Sequence, residues 1–247
     1  VERSKRQRAI SAVRRFRRRQ IHRLNYDRAR CLGNAIDRLR TRRSGGLFWP
    51  FVWTDAIYGF GNEGWSCEEN YAAVCAAEAE LATRPILECG SGVSTLLLAA
   101  VAERTGNVVH SLESAPEWVD RVSSELARHR LNCATVHYAP LVPFGEYEWY
   151  DVSGLDLPAD IGLVICDGPP SKTTLGHRYG LYPQMRSRLA PGCVLLSDDT
   201  LREADRGVVE RWGVESGCVP EFATATRGYA RLRLGDRAPV APAPSVS

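Results

Sequence analysis

Pro85-Ile86-Leu87-Glu88-Cys89-Gly90-Ser91-Gly92-Val93-Ser94-Thr95 reads as a buried strand, a glycine turn and a helix start, in that order. Such a turn holds a nucleotide-type cofactor, because Gly90 and Gly92 carry no Cβ to keep the backbone from turning sharply and approaching a ligand. Ser91 and Ser94 belong to the same turn and join the candidate binding set. Next comes Val108-Val109-His110-Ser111-Leu112-Glu113, a short apolar run ending in an acid 23 residues after Gly90. A carboxylate there accepts hydrogen bonds from both ribose hydroxyls, the bland alternative being an ordinary surface acid.

A dinucleotide fingerprint requires a third glycine where this chain has Thr95. Instead, the acid before the first glycine, Glu88, resembles the first motif of class I S-adenosylmethionine-dependent methyltransferases, and the resemblance covers roughly residues 66 to 234. It implies S-adenosylmethionine as cofactor, with Glu88 near its methionine end, and a small-molecule acceptor.

Ligands of open α/β sheets bind beyond the carboxyl ends of the strands. Asp167 ends the run Ile161 to Cys166, and Asp198 and Asp199 end the run from Gly192. Three like charges on one rim repel unless something positive sits among them. Leu189 to Thr200 resembles the matching strand of catechol-type and macrolide-sugar O-methyltransferases, which implies Mg²⁺ on Asp167, Asp198 and Asp199. Such an ion would lower the pKa of a hydroxyl acceptor and align it. The continuation Asp167-Gly168-Pro169-Pro170 departs from the catechol pattern, so acid-lined acceptor binding and capping of the following helix stay open. Asp167 and Asp199 are the catalytic candidates, and Asp167 also joins the cofactor set. Without a metal, His177 in the loop 168–179 is the candidate base, although a loop histidine is more often merely solvated. Lys172 and Arg178 are candidate anchors for an anionic acceptor. Phe144, Tyr147, Trp149 and Tyr150 either line an aromatic pocket or pack over the sheet edge, and the family resemblance implies an adenine slot at Tyr138-Ala139-Pro140.

The elements that must position these groups alternate. Strands are read at 85–89, 108–113, 134–139, 161–167 and 192–198, with helices at 66–81, 93–104, 115–130, 175–190 and 202–213. Ser66 with Glu69, and Ser114 with Glu117, look like capping boxes. The runs 218–224 and 227–234 are too close for a parallel crossover and form a hairpin. Helices on both faces of a parallel sheet follow. With the family resemblance, the fold is α/β: a Rossmann-like, doubly wound, mostly parallel seven-stranded sheet with an antiparallel last strand, plus a basic helical N-terminal arm.

Charge divides the chain, since residues 1–43 hold 16 Lys or Arg against 3 acids and residues 44–247 hold 16 against 26. Residues 1–43 read as a basic amphipathic helical arm, 44–65 as an aromatic connector that packs on the domain or lids its pocket, 66–235 as the methyltransferase domain, and 236–247 as a disordered tail. The arm suits RNA or an anionic membrane surface; the bland readings are a solvated helix or docking on the acidic body of a neighbour in a homo-oligomer. RNA-modifying relatives of this fold often carry Asn or Asp followed by Pro-Pro-aromatic after the fourth strand. Here a glycine intervenes and Ser171 replaces the aromatic, which disfavours base N-methylation. The eight cysteines form no CxxC pair and read as reduced packing residues, so the cytoplasm is expected. The expected reaction is methyl transfer to a hydroxyl of a small-molecule or sugar-containing acceptor. An RNA methyltransferase recruited by the arm and a non-catalytic S-adenosylmethionine-binding scaffold are the rivals.

Overall fold

The computed structural model describes residues 28–41, 50–62, 64, 66–224 and 226–235. The helices are α1 (Arg28–Thr41), α2 (Pro50–Phe60), α3 (Glu69–Leu81), α4 (Val93–Thr105), α5 (Pro116–Arg128), α6 (Leu181–Met185) and α7 (Glu203–Ser216). The strands are β1 (Ile86–Cys89), β2 (Val109–Glu113), β3 (Ala134–Tyr138), β4 (Leu141–Pro143), β5 (Glu148–Tyr150), β6 (Ile161–Cys166), β7 (Leu189–Asp198), β8 (Glu221–Ala223) and β9 (Tyr229–Arg233). Seven of them form one sheet in the order β3-β2-β1-β6-β7-β9-β8, while β4 and β5 make a separate hairpin. The pairs from β3 across to β7 are parallel, and β9 runs antiparallel to both β7 and β8.

Both faces of the sheet are covered, which is why its strands are apolar at consecutive positions. Ile86, Leu163 and Val194 enter one core with residues of α1 to α5. Their neighbours Leu87, Val164 and Leu195 enter the other, with Trp149, Tyr182, Met185 and Trp212. All eight cysteines are free, and six of them are buried.

Part of the basic arm belongs to this body. Leu32, Ile36 and Leu39 of α1 are fully buried, each worth about 1.5–3 kcal/mol of apolar transfer. Arg40 pairs with Glu103 at 2.5 Å, and Arg104 donates to the Leu39 carbonyl. The helices α1 and α2 cross so closely that a Cβ on Gly59 would lie 2.5 Å from the Leu32 nitrogen. The arginine cluster 14–19, the aromatics Phe48, Trp49 and Trp65, and the tail 236–247 lie outside the described residues. Among those described, no helix is long and apolar enough to cross a membrane.

Three local expectations are corrected. The helix expected over 175–190 is a loop followed by the short α6 and a 3₁₀ turn at Arg186–Arg188. Gly176 sits at φ 71°, and Gly180 presses on Trp149, where a Cβ would approach to 2.6 Å. Neither capping box forms. The Ser66 hydroxyl donates to the Asn62 carbonyl, and Glu69 accepts from Thr54. At the start of α5, the amides of Ser114 and Ala115 donate to Glu113 rather than to a serine. Finally, β7 begins at Leu189 rather than Gly192, with a register irregularity against β6 that absorbs Pro191 and Gly192.

Candidate active site

The strand order reverses between β1 and β6, so a crevice opens beyond their carboxyl ends. Its floor is a contact between two glycines. Gly90 (φ 90°) and Gly168 approach so closely that a Cβ on either would lie under 3 Å from the other's backbone, and the Gly168 amide donates to the Cys89 carbonyl at 2.6 Å. Above this floor lies a cleft of about 930 Å³, within the range of small-molecule sites. Gly90, Ser91, Gly92, Ser94, Glu113, Asp167 and Asp199, seven of the candidate site residues, line it together.

Two glutamates serve the glycine turn from opposite sides. Glu113, at the end of β2, faces the cleft. Its Oε2 accepts from the Ser91 amide (3.1 Å) and hydroxyl (2.9 Å), and its Oε1 accepts from the amides of Ser114 and Ala115 (2.8 and 3.0 Å). The Ser91 hydroxyl can rotate away, leaving Glu113 lone pairs for a ribose diol. Glu88 does not reach the cleft and is fully buried behind the turn. Thr95 and Ser111 hydroxyls donate to it at 2.5 and 2.7 Å, and Thr95 in turn accepts from the Gly92 amide at 2.9 Å. Burial pushes the Glu88 carboxyl up to about 7, against the hydroxyl donors that stabilise its charge. Glu88 is therefore a buttress of the turn. A Cβ on Gly92 would meet nothing within 4 Å, so the turn faces open space that a ligand can fill.

Across the cleft, Asp167, Asp198 and Asp199 do converge, with one oxygen of each within 4.8 Å of the others. The positive charge among them comes from the chain itself. Arg178, 3% exposed, donates to the backbone carbonyls of Asp167 (2.5 Å) and Asp198 (2.9 Å). It also contacts Asp167 Oδ1 and Asp199 Oδ2, each at 3.2 Å. Burial opposes the Arg178 charge, but the surrounding carboxylates, Asp167 foremost, outweigh it and hold the guanidinium protonated. Arg202 adds a second cation 2.8 Å from Asp199 Oδ2. Asp198, 1% exposed and outside the cleft lining, is pushed up to about 8 by burial and then by its two aspartate neighbours, so it is largely protonated at neutral pH. A divalent cation wants ionised oxygen ligands around an open centre. A guanidinium bridging Asp167 and Asp199 does not leave that centre open.

Of the remaining candidates, Lys172 and Arg178 line the cleft. His177 does not; its Nδ1 lies 2.7 Å from the Ser171 carbonyl, tying the loop together at a left-handed backbone position (φ 56°). Asp199 shares that conformation (φ 64°), which is uncommon outside glycine. Tyr150 lines the cleft beside Gly168, whereas Trp149 is core. Phe144 and Tyr147 border a separate cleft with Tyr179 and Arg211. Tyr138 and Ala139 lie outside the cleft lining, which beside Glu113 is instead Ala115, Glu117, Trp118 and Phe60. Trp118 stands edge-on to Phe60 and donates to the Ser91 carbonyl at 2.6 Å. Sequence reasoning passed over Trp118, Gly168, Arg202 and Arg227. Trp118 was visible as an aromatic in the first turn of the helix after Glu113, and Gly168 as a glycine directly after a strand-end acid.

Comparisons with known proteins agree with this geometry. A family described as a methyltransferase domain matches residues 87–200. No curated protein is significantly similar to the chain. Among solved structures, an O-methyltransferase from Bacillus cereus in complex with S-adenosylhomocysteine superposes with a TM-score of 0.54 at 13% identity, over 74% of this chain and 90% of that one. TomG, an O-methyltransferase of tomaymycin synthesis from Streptomyces achromogenes in complex with S-adenosylmethionine, gives 0.54 at 17%, over 77% and 91%. A precorrin-6Y C5,15-methyltransferase from Geobacter metallireducens gives 0.51 at 16%, over 69% and 90%. At such identities the likeness establishes the fold and leaves the acceptor open.

Proposed function

We propose that this chain, an S-adenosylmethionine-dependent methyltransferase of the class I fold, transfers the methyl group to a hydroxyl of a small-molecule acceptor, with an internal arginine in the place of a metal. The observation that carries the reading is the pair of facing walls in one cleft: the Gly90–Gly92 turn with Glu113 on one side, and Asp167 and Asp199 bridged by Arg178 on the other.

When bound, S-adenosylmethionine supplies an electrophilic methyl on its sulfonium. The Gly90–Gly92 turn, Ser91 and Ser94 hold its methionine half, Glu113 takes the ribose hydroxyls, and Phe60 and Trp118 wall the adenine end. Positioning contributes most to such a transfer, since an acceptor oxygen held in line needs little else. The acceptor must also lose a proton as the new O–C bond forms. Asp167 is the group for this, because it lines the cleft and burial raises its carboxyl pKa against the pull of Arg178, which brings it closer to neutrality. Arg178 holds Asp167 and Asp199 in place. No role is given to Mg²⁺, and His177 is given the role of tying the loop.

Calorimetry with S-adenosylmethionine and S-adenosylhomocysteine, followed by turnover on a panel of hydroxylated metabolites with and without a chelator, tests the reading. Binding of both forms and turnover unaffected by chelation are expected. If neither form binds at millimolar concentration, the reading fails. Binding without turnover on any acceptor returns the scaffold alternative, and turnover that requires Mg²⁺ overturns the role of Arg178.

A further inference from the structure

The body of the chain is acidic, yet its acceptor wall is not. Residues 44–247 hold 26 acids against 16 Lys or Arg, but four of those cations, Lys172, Arg178, Arg202 and Arg227, line this one cleft. On the same side only Asp167 and Asp199 line it with carboxylates, and Arg178 is already spent between them. The other three cations come from separate loops: Lys172 from the loop after β6, Arg202 from the start of α7, and Arg227 from the β8–β9 turn.

Each has hydrogen-bonding capacity left. Arg202 reaches Asp199 and Asp205 through one nitrogen, at 2.8 and 3.7 Å, with its side chain 41% exposed. Among the described residues Arg227 is held only at long range, 3.5 Å to the Ser66 carbonyl and 3.7 Å to Glu68. A guanidinium carries five N–H donors, so both keep donors for a ligand. Lys172 is exposed and has no ion-pair partner among the described residues. It is also one of only two lysines in the chain, the other being Lys5, where arginine fills nearly every other basic position. A lysine differs from arginine as a compact, mobile point charge that can follow an anion.

We infer that the acceptor carries an anionic group, carboxylate or phosphate, held by Lys172, Arg202 and Arg227 at the mouth of the cleft while its hydroxyl faces Asp167; this rests on the methyl-transfer reading above. The cofactor's own carboxylate, with two oxygens, can engage two of these cations and still leave the third, and the test is therefore run with the cofactor site filled. An anion at the mouth also offsets the positive sulfonium that shares the cleft, and steers the acceptor toward it.

The test titrates inorganic phosphate into the full chain saturated with S-adenosylhomocysteine, at low and high salt, for wild type, Lys172→Gln and Arg227→Gln. Expected are saturable, salt-sensitive binding to the wild type, and a loss of about three- to tenfold in phosphate affinity in each variant. The affinity for S-adenosylhomocysteine should stay within about twofold. Lys172 is exposed on a loop, so its variant folds, and a thermal melt checks this. Three outcomes overturn the inference: no phosphate binding to the saturated wild type, phosphate binding unchanged in both variants, or a loss in the variants of S-adenosylhomocysteine affinity in place of phosphate affinity. Failure of the wild type to bind S-adenosylhomocysteine at all would instead overturn the methyltransferase reading beneath it.

Discussion

On the β1–β2 side of the cleft, the groups that line it are the Gly90–Gly92 turn, Ser91, Ser94, the rings of Phe60 and Trp118, and two carboxylates, Glu117 and Glu113, the latter held by the amides of two serines and an alanine and by the Ser91 hydroxyl. On the β6–β7 side they are acidic and basic side chains, with Asp167 and Asp199 bridged by the buried Arg178, and Lys172, Arg202 and Arg227 at the rim. The first wall is specified by shape, since a Cβ in the wrong place ruins it. The second is specified by charge balance, and tolerates changes in shape better than the loss of a partner. In the proposed reading the first wall meets the cofactor and the second the acceptor.

Removing Arg178 should break the charged wall most severely. Arg178→Met leaves the half-buried Asp167 without its cation and the buried Asp199 with Arg202 alone, and a loss of about 3 kcal/mol in urea unfolding is expected. The vacated acids should then take up Mg²⁺, raising the variant's melting temperature in Mg²⁺ while the wild type is unmoved. A wild type stabilised by Mg²⁺ to the same extent would erase the distinction between the walls.

The glycine floor is the matching break on the other side. A Cβ at Gly90 would sit 2.8 Å from the Gly168 nitrogen and 2.9 Å from its Cα, so Gly90→Ala should weaken S-adenosylhomocysteine about 100-fold, near 3 kcal/mol. Calorimetry reads this directly, and near-normal affinity would mean that shape does not govern this wall. Glu113→Gln follows, with an expected loss of roughly 2–3 kcal/mol in cofactor binding, because hydrogen bonds to a charged acceptor are replaced by weaker ones.

Glu88 sharpens the comparison by pH. Its carboxyl titrates near 7 in the folded chain against 4.5 in the reference state, so between these values the native state binds more protons than the unfolded one. Stability contributed by this group therefore falls as pH rises through that window and levels off above it. Glu88→Gln mimics the protonated form, accepting from Thr95 and Ser111. It should gain about 2 kcal/mol over the wild type on going from about pH 5.5 to about pH 8.5. Thermal melts that move in parallel for both proteins would show that Glu88 does not titrate there.

The glycine turn, Glu113, the alternation of strands and helices, the terminal hairpin and the three converging acids were all legible in the sequence. Each depends on local pattern or on the rule that parallel strands present their carboxyl ends to one crevice. The capping boxes and the helix at 175–190 misled because local propensity competes with tertiary contacts: Glu113 reached the α5 amides before a serine did, and Trp149 pressed on Gly180. Side-chain destinations were also hidden. The acid Glu88 points away from the cleft, His177 binds its own loop, and Arg178 enters the acidic triad.

What the sequence determined by itself is therefore the sheet, its switch point and which acids meet at the rim, because these follow from periodicity and connection length. Only the tertiary structure decided which cation meets those acids and which rings line the cleft. Charge compensation and ring packing are settled between residues far apart in the chain, such as Arg178 with Asp199 or Phe60 with Trp118, whose meeting no local pattern records.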